Sequence, residues 1–336
     1  MMVARGFLDL PDSDPRDAKV IILPLPFEGT VSWGRGTARG PDAVLDASRQ
    51  VETWDEETDF DLKDISFHWS QGVSPADREK PGAYLDRVLE AARAANEQDA
   101  LVIGVGGEHS VSTPLAIAAA GQEDLSGLTV VQLDAHADLR ETYGGSEHSH
   151  ACVMRRLLDR GASILAIGVR SVSRNEAEHG QSTGRWEPWY AHRLAAEGER
   201  EDPLLERLRS IEGEFYLTID TDCLEVTHSP STGTPEPGGL RWWQAMKYLR
   251  TLLQSSSRKL AGLDIVETVP CEGTTVNEYS SARILCKALA YLHSYSRIAG
   301  GSHYPLLALR YSSATLIASR PARDLAGRRL PPPIQD

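Results

Sequence analysis

Within the stretch VVQLDAHADLR, Asp134, His136 and Asp138 recur at every second position. On an extended chain such residues point to one side, so two carboxylates and an imidazole would crowd a single face. Like charges a few ångströms apart repel and must be solvated or paired. A cation is therefore expected among them. The run TIDTD repeats the pattern with Asp220 and Asp222, VGGEHS delivers His109 after a glycine pair, and GLDIVE ends on Glu267. Each piece alone has a plainer explanation: a glycine pair marks a turn, and a D-x-D can cap the next helix. Three alternating ionisable residues, however, are foreign to a core strand. His109, Asp134, His136, Asp138, Asp220 and Asp222 exceed the about four ligands that a single tetrahedral zinc takes. Oxygen and nitrogen ligands without sulfur suit two harder divalent ions, Mn²⁺ first, with Ni, Co or Fe as alternatives. Two such ions about 3.5–4 Å apart can share a water, lower its pKa and aim it as a nucleophile.

The elements that must position these residues follow from the apolar pattern. Strand-like runs cover 18–26, 100–107, 128–135, 163–170, 214–220 and 259–267, and helical stripes cover 82–98, 241–254 and 277–293. In the first helix Leu85, Val88, Leu89 and Ala92 share a face. Such alternation predicts an α/β fold, a parallel sheet with helices on both faces. Sites in open parallel sheets form outside the carboxyl ends of strands, and the polar residues above fall at those ends. No linker or internal repeat cuts the series, so one domain over 1–336 is expected, with a core of about 18–293. Residues 223–240 form a long loop rich in Pro, Gly, Ser and Thr, the kind usually reserved for function. The arginine-rich extension over about 294–336 is expected to be flexible toward its end.

Hydrophobic content of 41% and charged content of 25% are those of a soluble globular protein. No apolar run reaches the roughly 18 residues that span a bilayer, and the start lacks the apolar region of a secretion signal. Cys152, Cys223, Cys271 and Cys286 form no CxxC pair, so reduced cysteines and a cytoplasmic location are expected. A net charge of −13 argues against a nucleic-acid partner, which would demand a basic face. It serves solubility, or the steering of a cationic ligand.

GGEHS, DAHAD, SHACVMRR, TIDTDCLEV…STGTPEPGG and DIVE together resemble, in order and spacing, the motifs of the ureohydrolase family of arginases and agmatinases, the agmatinase branch above all. The resemblance spans roughly 18–293. It implies a three-layer α/β/α sandwich around a mostly parallel sheet, two Mn²⁺ ions held by the six ligands named above, and assembly into trimers or hexamers. The implied reaction cleaves a small cationic guanidino substrate, agmatine first, to urea and an amine, which would place the chain in polyamine biosynthesis. By the same resemblance, Asp138 passes a proton from the activated water to the departing amine, Glu267 binds the guanidinium, and His150 is a mobile acid–base group. His148 lies two residues away; His150 is favoured because it directly precedes the expected helix ACVMRRLLD. His68, His179, His192, His293 and His303 are expected at the surface or as satisfied core residues.

The sequence departs from the family where a further Asp-Pro usually follows the D-x-D. Glu225-Val226 stand there, and His228 and Ser231 follow, so specificity is expected to differ at this loop. Glu108 in place of the commoner Asp is expected to matter little. Loops 26–40, 139–149 and 171–192 are expected to contact the rest of the substrate, so another guanidino compound such as guanidinobutyrate, guanidine or arginine is an alternative. Arg35, Arg39, Arg170 and Arg174 could meet a substrate carboxylate, with solvation the simpler expectation. Two rival classes use similar ligands: a dinuclear phosphoesterase, which would want cationic side chains where Glu267 stands, and a non-catalytic metal-binding protein.

Overall fold

Runs of Val, Ile and Leu without polar interruption fold as strands that are covered on both faces. The computed structural model describes residues 6–196, 203–255 and 258–298. Its strands are β1 (Val20–Leu25), β2 (Trp54–Asp55), β3 (Phe60–Asp61), β4 (Phe67–Trp69), β5 (Leu101–Gly106), β6 (Leu128–Leu133), β7 (Ser163–Val169), β8 (Trp186–Tyr190), β9 (Gly213–Asp220) and β10 (Arg258–Val266). Its helices are α1 (Gly40–Ser48), α2 (Pro81–Asn96), α3 (Ser112–Ala120), α4 (Val153–Asp159), α5 (Arg174–Thr183), α6 (Ala191–Ala196), α7 (Pro203–Arg209), α8 (Trp242–Leu253) and α9 (Val276–Ile298). Eight strands form one sheet in the order β4-β1-β5-β10-β9-β6-β7-β8, every neighbour parallel, and β2 and β3 form a separate antiparallel pair.

Side chains alternate across the sheet and feed two cores. Ile103, Val131, Leu165, Leu217 and Ile265 pack with residues of α1, α8 and α9 on one face. Leu25, Val130, Ile164, Tyr216 and Val266 pack with residues of α2, α3 and α4 on the other. This is the three-layer arrangement. Because all eight strands run the same way, β5, β10, β9 and β6, adjacent in the sheet, end at one edge side by side. Gly107 makes that edge close: a Cβ there would lie 2.0 Å from the Phe27 carbonyl oxygen.

The expectation of a loop over 171–192 is corrected. That segment holds α5 and β8. Its helix is polar and lacks a long apolar stripe, but a reciprocal Ser173–Glu176 capping box starts it and Gly184, at φ 64°, ends it. Residues 134–138 also differ from an extended continuation of the strand: β6 stops at Leu133, and Asp138 adopts a left-handed φ of 52°. The last helix runs five residues past 293, to Ile298. Residues 299–336, with the expected flexible end and His303, lie outside the described residues. Among the described residues no helix is long and apolar enough to cross a membrane.

Candidate active site

The strand ends deliver the six expected ligands into one buried cluster. His109 opens a short turn after β5, and its Nδ1 lies 3.0 Å from Asp138 Oδ2, 3.2 Å from Asp134 Oδ2 and 3.5 Å from Asp220 Oδ2. His136 Nδ1 lies 2.9 Å from Asp222 Oδ2 and 3.6 Å from Asp134 Oδ1. Two groups of side chains could each hold a metal ion: His109, Asp134 and Asp220, and Asp134, His136 and Asp222. Asp134 belongs to both. Asp138, with Oδ2 3.0 Å from His109 Nδ1, lies beside the first.

Backbone and buried polar groups hold the carboxylates in place. Asp134 Oδ1 accepts the His136 N–H at 2.6 Å, Asp222 Oδ1 the Ala135 N–H at 3.0 Å, and Asp220 Oδ1 the Asp222 N–H at 2.9 Å. Gln132 Nε2 donates to Asp134 Oδ2 at 2.7 Å. His109 Nε2 lies 2.9 Å from Thr218 Oγ1, whose hydroxyl donates to Asp264 Oδ1 at 2.7 Å. A hydroxyl has one proton, so Thr218 accepts from Nε2–H and the ring's lone pair falls on Nδ1. That nitrogen is buried, has no hydrogen-bond partner and is ringed by carboxylate oxygens. A neutral nitrogen lone pair among anionic oxygens is a divalent-cation donor set, and the second-layer Thr218 and Asp264 are what orients such a ligand. The residues fit.

Charge in the cluster is strongly coupled. Burial opposes ionisation of His136, yet Asp222 and Asp134 outweigh it and push its pKa up to about 12. His109 is held well above the usual value in the same way, by Asp134 and Asp138 against burial. Burial, then the neighbouring Asp134 charge, lifts Asp138 to about 6. Burial and the charges of Asp222, Asp134 and Glu267 raise Asp220 well above the carboxylate range. The protein has gathered more negative charge than its own groups neutralise, the condition that bound cations relieve.

Glu267 follows β10 with a left-handed φ of 60°. Its Oε1 accepts the His109 N–H at 2.9 Å. A Cβ on Gly233 would lie 3.1 Å from its Oε2, so glycine there leaves that oxygen room toward the pocket. The pocket is lined by His109, His136, Asp138, Asp220 and Glu267, and on its outer side by Ser32, Arg140, Tyr143, His150, Thr234 and Glu236. The structure thus separates the two neighbouring histidines: His150 lines the pocket, while the His148 side chain is 45% exposed beside Glu147.

The departures of the 223–240 loop lie off the pocket. His228 meets Trp242 edge-on, and Ser231 bonds to Asn277 through its N–H at 3.0 Å and its carbonyl. Arg35, Arg39 and Arg174 are exposed. Arg170 is half-buried, with its guanidinium turned to backbone carbonyls rather than to a substrate carboxylate. It donates to the carbonyls of Asp222, Glu236, Pro237, Gly168 and Leu224 at 2.7, 2.6, 3.0, 3.1 and 3.4 Å, tying the D-x-D turn to the pocket loop. Glu108 is likewise more than a passive exchange for Asp: it is fully buried and grips Thr30. Sequence reasoning missed Gln132, Thr218 and Asp264. Gln132 and Thr218 each precede a cluster aspartate by two residues, but that spacing alone does not name their partners.

A parallel sheet sandwiched between helices, with a carboxylate–imidazole cluster at the edge where its strands end, defines a three-layer α/β protein with side chains that could hold divalent ions. Residues 18–292 match the model of the arginase family, and the chain belongs to that family. It is 33% identical over 82% of its length to the N(1)-aminopropylagmatine ureohydrolase of Synechocystis sp., covering 89% of that protein. It is 33% identical over 77% of its length to the agmatinase of Pyrococcus horikoshii, covering 87% of it. The crystal structure of the agmatine ureohydrolase of Thermoplasma volcanium superposes with a TM-score of 0.77 and 26% identity, over 89% of this chain and 97% of that one. The chain is a hydrolase of the ureohydrolase type.

Proposed function

We propose that the protein hydrolyses the guanidino group of a small cationic substrate, agmatine first, to urea and an amine. The observation that carries this reading is Asp134, shared between two adjacent ligand groups that open onto a pocket where Glu267 keeps one carboxylate oxygen free. His109, Asp134, Asp138 and Asp220 would hold one divalent ion and Asp134, His136 and Asp222 the other, manganese being the first choice. When bound, the ions supply Lewis acidity and a nucleophile generated from water near neutral pH.

The side chains supply the rest. Glu267 Oε2 accepts a guanidinium N–H and sets the planar carbon toward the cluster. Asp138 takes a proton from the attacking water and passes it to the departing nitrogen, which leaves only as a protonated amine. His150, at the outer wall, relays a separate proton between the site and solvent. A phosphate ester would meet Glu267 as a repelling charge, which counts against the phosphoesterase reading. The names of the relatives support agmatine or its N(1)-aminopropyl derivative. Arg140 in the pocket favours a second reading, a guanidino acid with a distal carboxylate, although its guanidinium lies 5.1 Å above the Tyr143 ring and 3.9 Å from Glu176. We further propose that the enzyme acts in the cytoplasm, within polyamine biosynthesis, as a homo-oligomer, trimer or hexamer. Trp243, 62% exposed, and Tyr279 share a cleft on the surface and support a buried contact there.

The test is urea release from agmatine, N(1)-aminopropylagmatine, arginine, guanidinobutyrate, guanidinopropionate and guanidine, with Mn²⁺ and with Ni²⁺. Agmatine with Mn²⁺ is expected to give the highest kcat/KM. Preference for guanidinobutyrate would establish the Arg140 reading, and no urea from any substrate would refute the hydrolase. Light scattering on the same preparation should give at least three times the 36.8 kDa chain mass; a monomer would refute the assembly.

A further inference from the structure

We infer that Glu108, acting through Thr30, fixes the neutral imidazole of His150 as its Nδ1–H tautomer and so reserves Nε2 as the atom that exchanges protons. This rests on the acid–base role proposed for His150. Glu108 is fully buried. Its Oε2 accepts the Thr30 N–H at 2.6 Å, and its Oε1 accepts the Thr30 hydroxyl at 2.6 Å and the Ser110 hydroxyl at 2.7 Å. Thr30 has a single hydroxyl proton, and it is committed to the carboxylate. The oxygen is then only an acceptor. It takes the His150 backbone N–H at 3.0 Å and faces His150 Nδ1 at 3.2 Å.

A ring nitrogen that faces an acceptor must carry the proton. The lone pair of the neutral ring therefore falls on Nε2, which is 3.5 Å from Ser32 Oγ at the pocket wall. Ser149 Oγ, 3.4 Å from Nδ1, is the competing partner. It is more distant than Thr30, and its oxygen caps the following turn by accepting the Ala151 N–H. Burial, more than any other influence, lowers the His150 pKa, which favours the neutral ring in which a tautomer is defined. The same construction, a threonine committed to a buried carboxylate, sets the ring of His109 through Thr218 and Asp264. Glu108 and Thr30 are positioning residues: neither meets the substrate, and both act through the imidazole.

The decisive measurement is a two-bond ¹H–¹⁵N correlation spectrum of histidine-labelled protein loaded with diamagnetic Zn²⁺, with His150 assigned by its absence in His150→Asn. Wild type should show a protonated Nδ1 and a bare Nε2. Glu108→Gln should invert the pattern. The Thr30 N–H keeps the amide oxygen on its own side, so the amide NH₂ faces Thr30 Oγ1 and frees that hydroxyl to donate to Nδ1. Thr30→Val should lose the exclusive tautomer, Thr30→Ser should keep it, and Ser149→Ala should leave it unchanged. In turnover, Glu108→Gln should lower kcat by about 100-fold, the scale of general acid–base catalysis, with KM close to wild type. Thr30→Ser should retain most of the kcat that Thr30→Val loses. An Nε2–H tautomer in wild type, or an unchanged one in both Glu108→Gln and Thr30→Val, would overturn the inference. Full turnover in His150→Asn would instead overturn the acid–base role while leaving the tautomer assignment standing.

Discussion

Asp138 and Glu267 both hold left-handed backbone angles, 52° and 60°, that non-glycine residues adopt only at a cost of order 1–3 kcal/mol. Surrounding bonds impose them: the Glu267 N–H donates to the Gly107 carbonyl at 2.8 Å, and the Asp138 carbonyl accepts the Arg155 N–H at 3.2 Å. The strain turns each carboxylate out of its strand direction and into the pocket. Such placement makes the ligand set intolerant of single losses. In Asp220→Asn and in His136→Ala, elemental analysis is expected to find about one ion per chain where wild type holds two, with urea release falling at least 100-fold, the scale that electrostatic stabilisation of a transition state supplies. Wild-type turnover in either variant would refute the assigned ligands.

At the scale of elements, much of the fold could be read in advance because the decisive strands are apolar throughout. β1, β5, β6 and β7 fall within the runs read from sequence, and β9 and β10 each begin one residue before theirs. The amphipathic α2 and α8 were equally visible. α3 was not, since STPLAIAAA is almost wholly buried and has no polar face to set a period. Three-residue β4 and the polar α5 carry too little pattern. The site's first layer was visible because ionisable residues stood where a core strand has none. The groups behind it were hidden, because a buried Thr218 or Glu108 has meaning only once its hydrogen-bond partners are known. Arg170 was misjudged for the same reason: its five carbonyl partners come from segments distant in sequence. Lysine offers three donors and no planar fork, so Arg170→Lys cannot span them. We expect it to lower stability on the order of 3 kcal/mol, the upper range for hydrogen bonds to a charged group. KM should rise as the 233–237 loop loosens. Unchanged urea denaturation and unchanged KM would show that the clamp contributes nothing.

For the whole molecule, net charge and metal content meet in the dependence of stability on pH. With ions removed by a chelator, the native state holds protons that the unfolded chain releases. Burial raises Glu267 to about 8 and Asp138 to about 6, against unfolded values of about 4. Their stabilising effect is complete below pH about 4 and is lost as pH rises through those folded values. Asp220 is raised too, and His136, held up to about 12, works in the same direction above its unfolded value of about 6.5. His150, lowered chiefly by burial, opposes them as a single group, and only as pH rises through its unfolded value. The chelated protein should therefore lose thermal stability between pH 6 and 8. Metal loading reverses the sense, because ions bind deprotonated ligands more tightly as pH rises. A ligand at 100 times its Kd adds about 2.7 kcal/mol, and the Tm difference between loaded and chelated protein should widen steadily from pH 6 to 8. Calorimetry finding that difference constant or shrinking would mean that the cluster at the sheet edge is not where the ions bind.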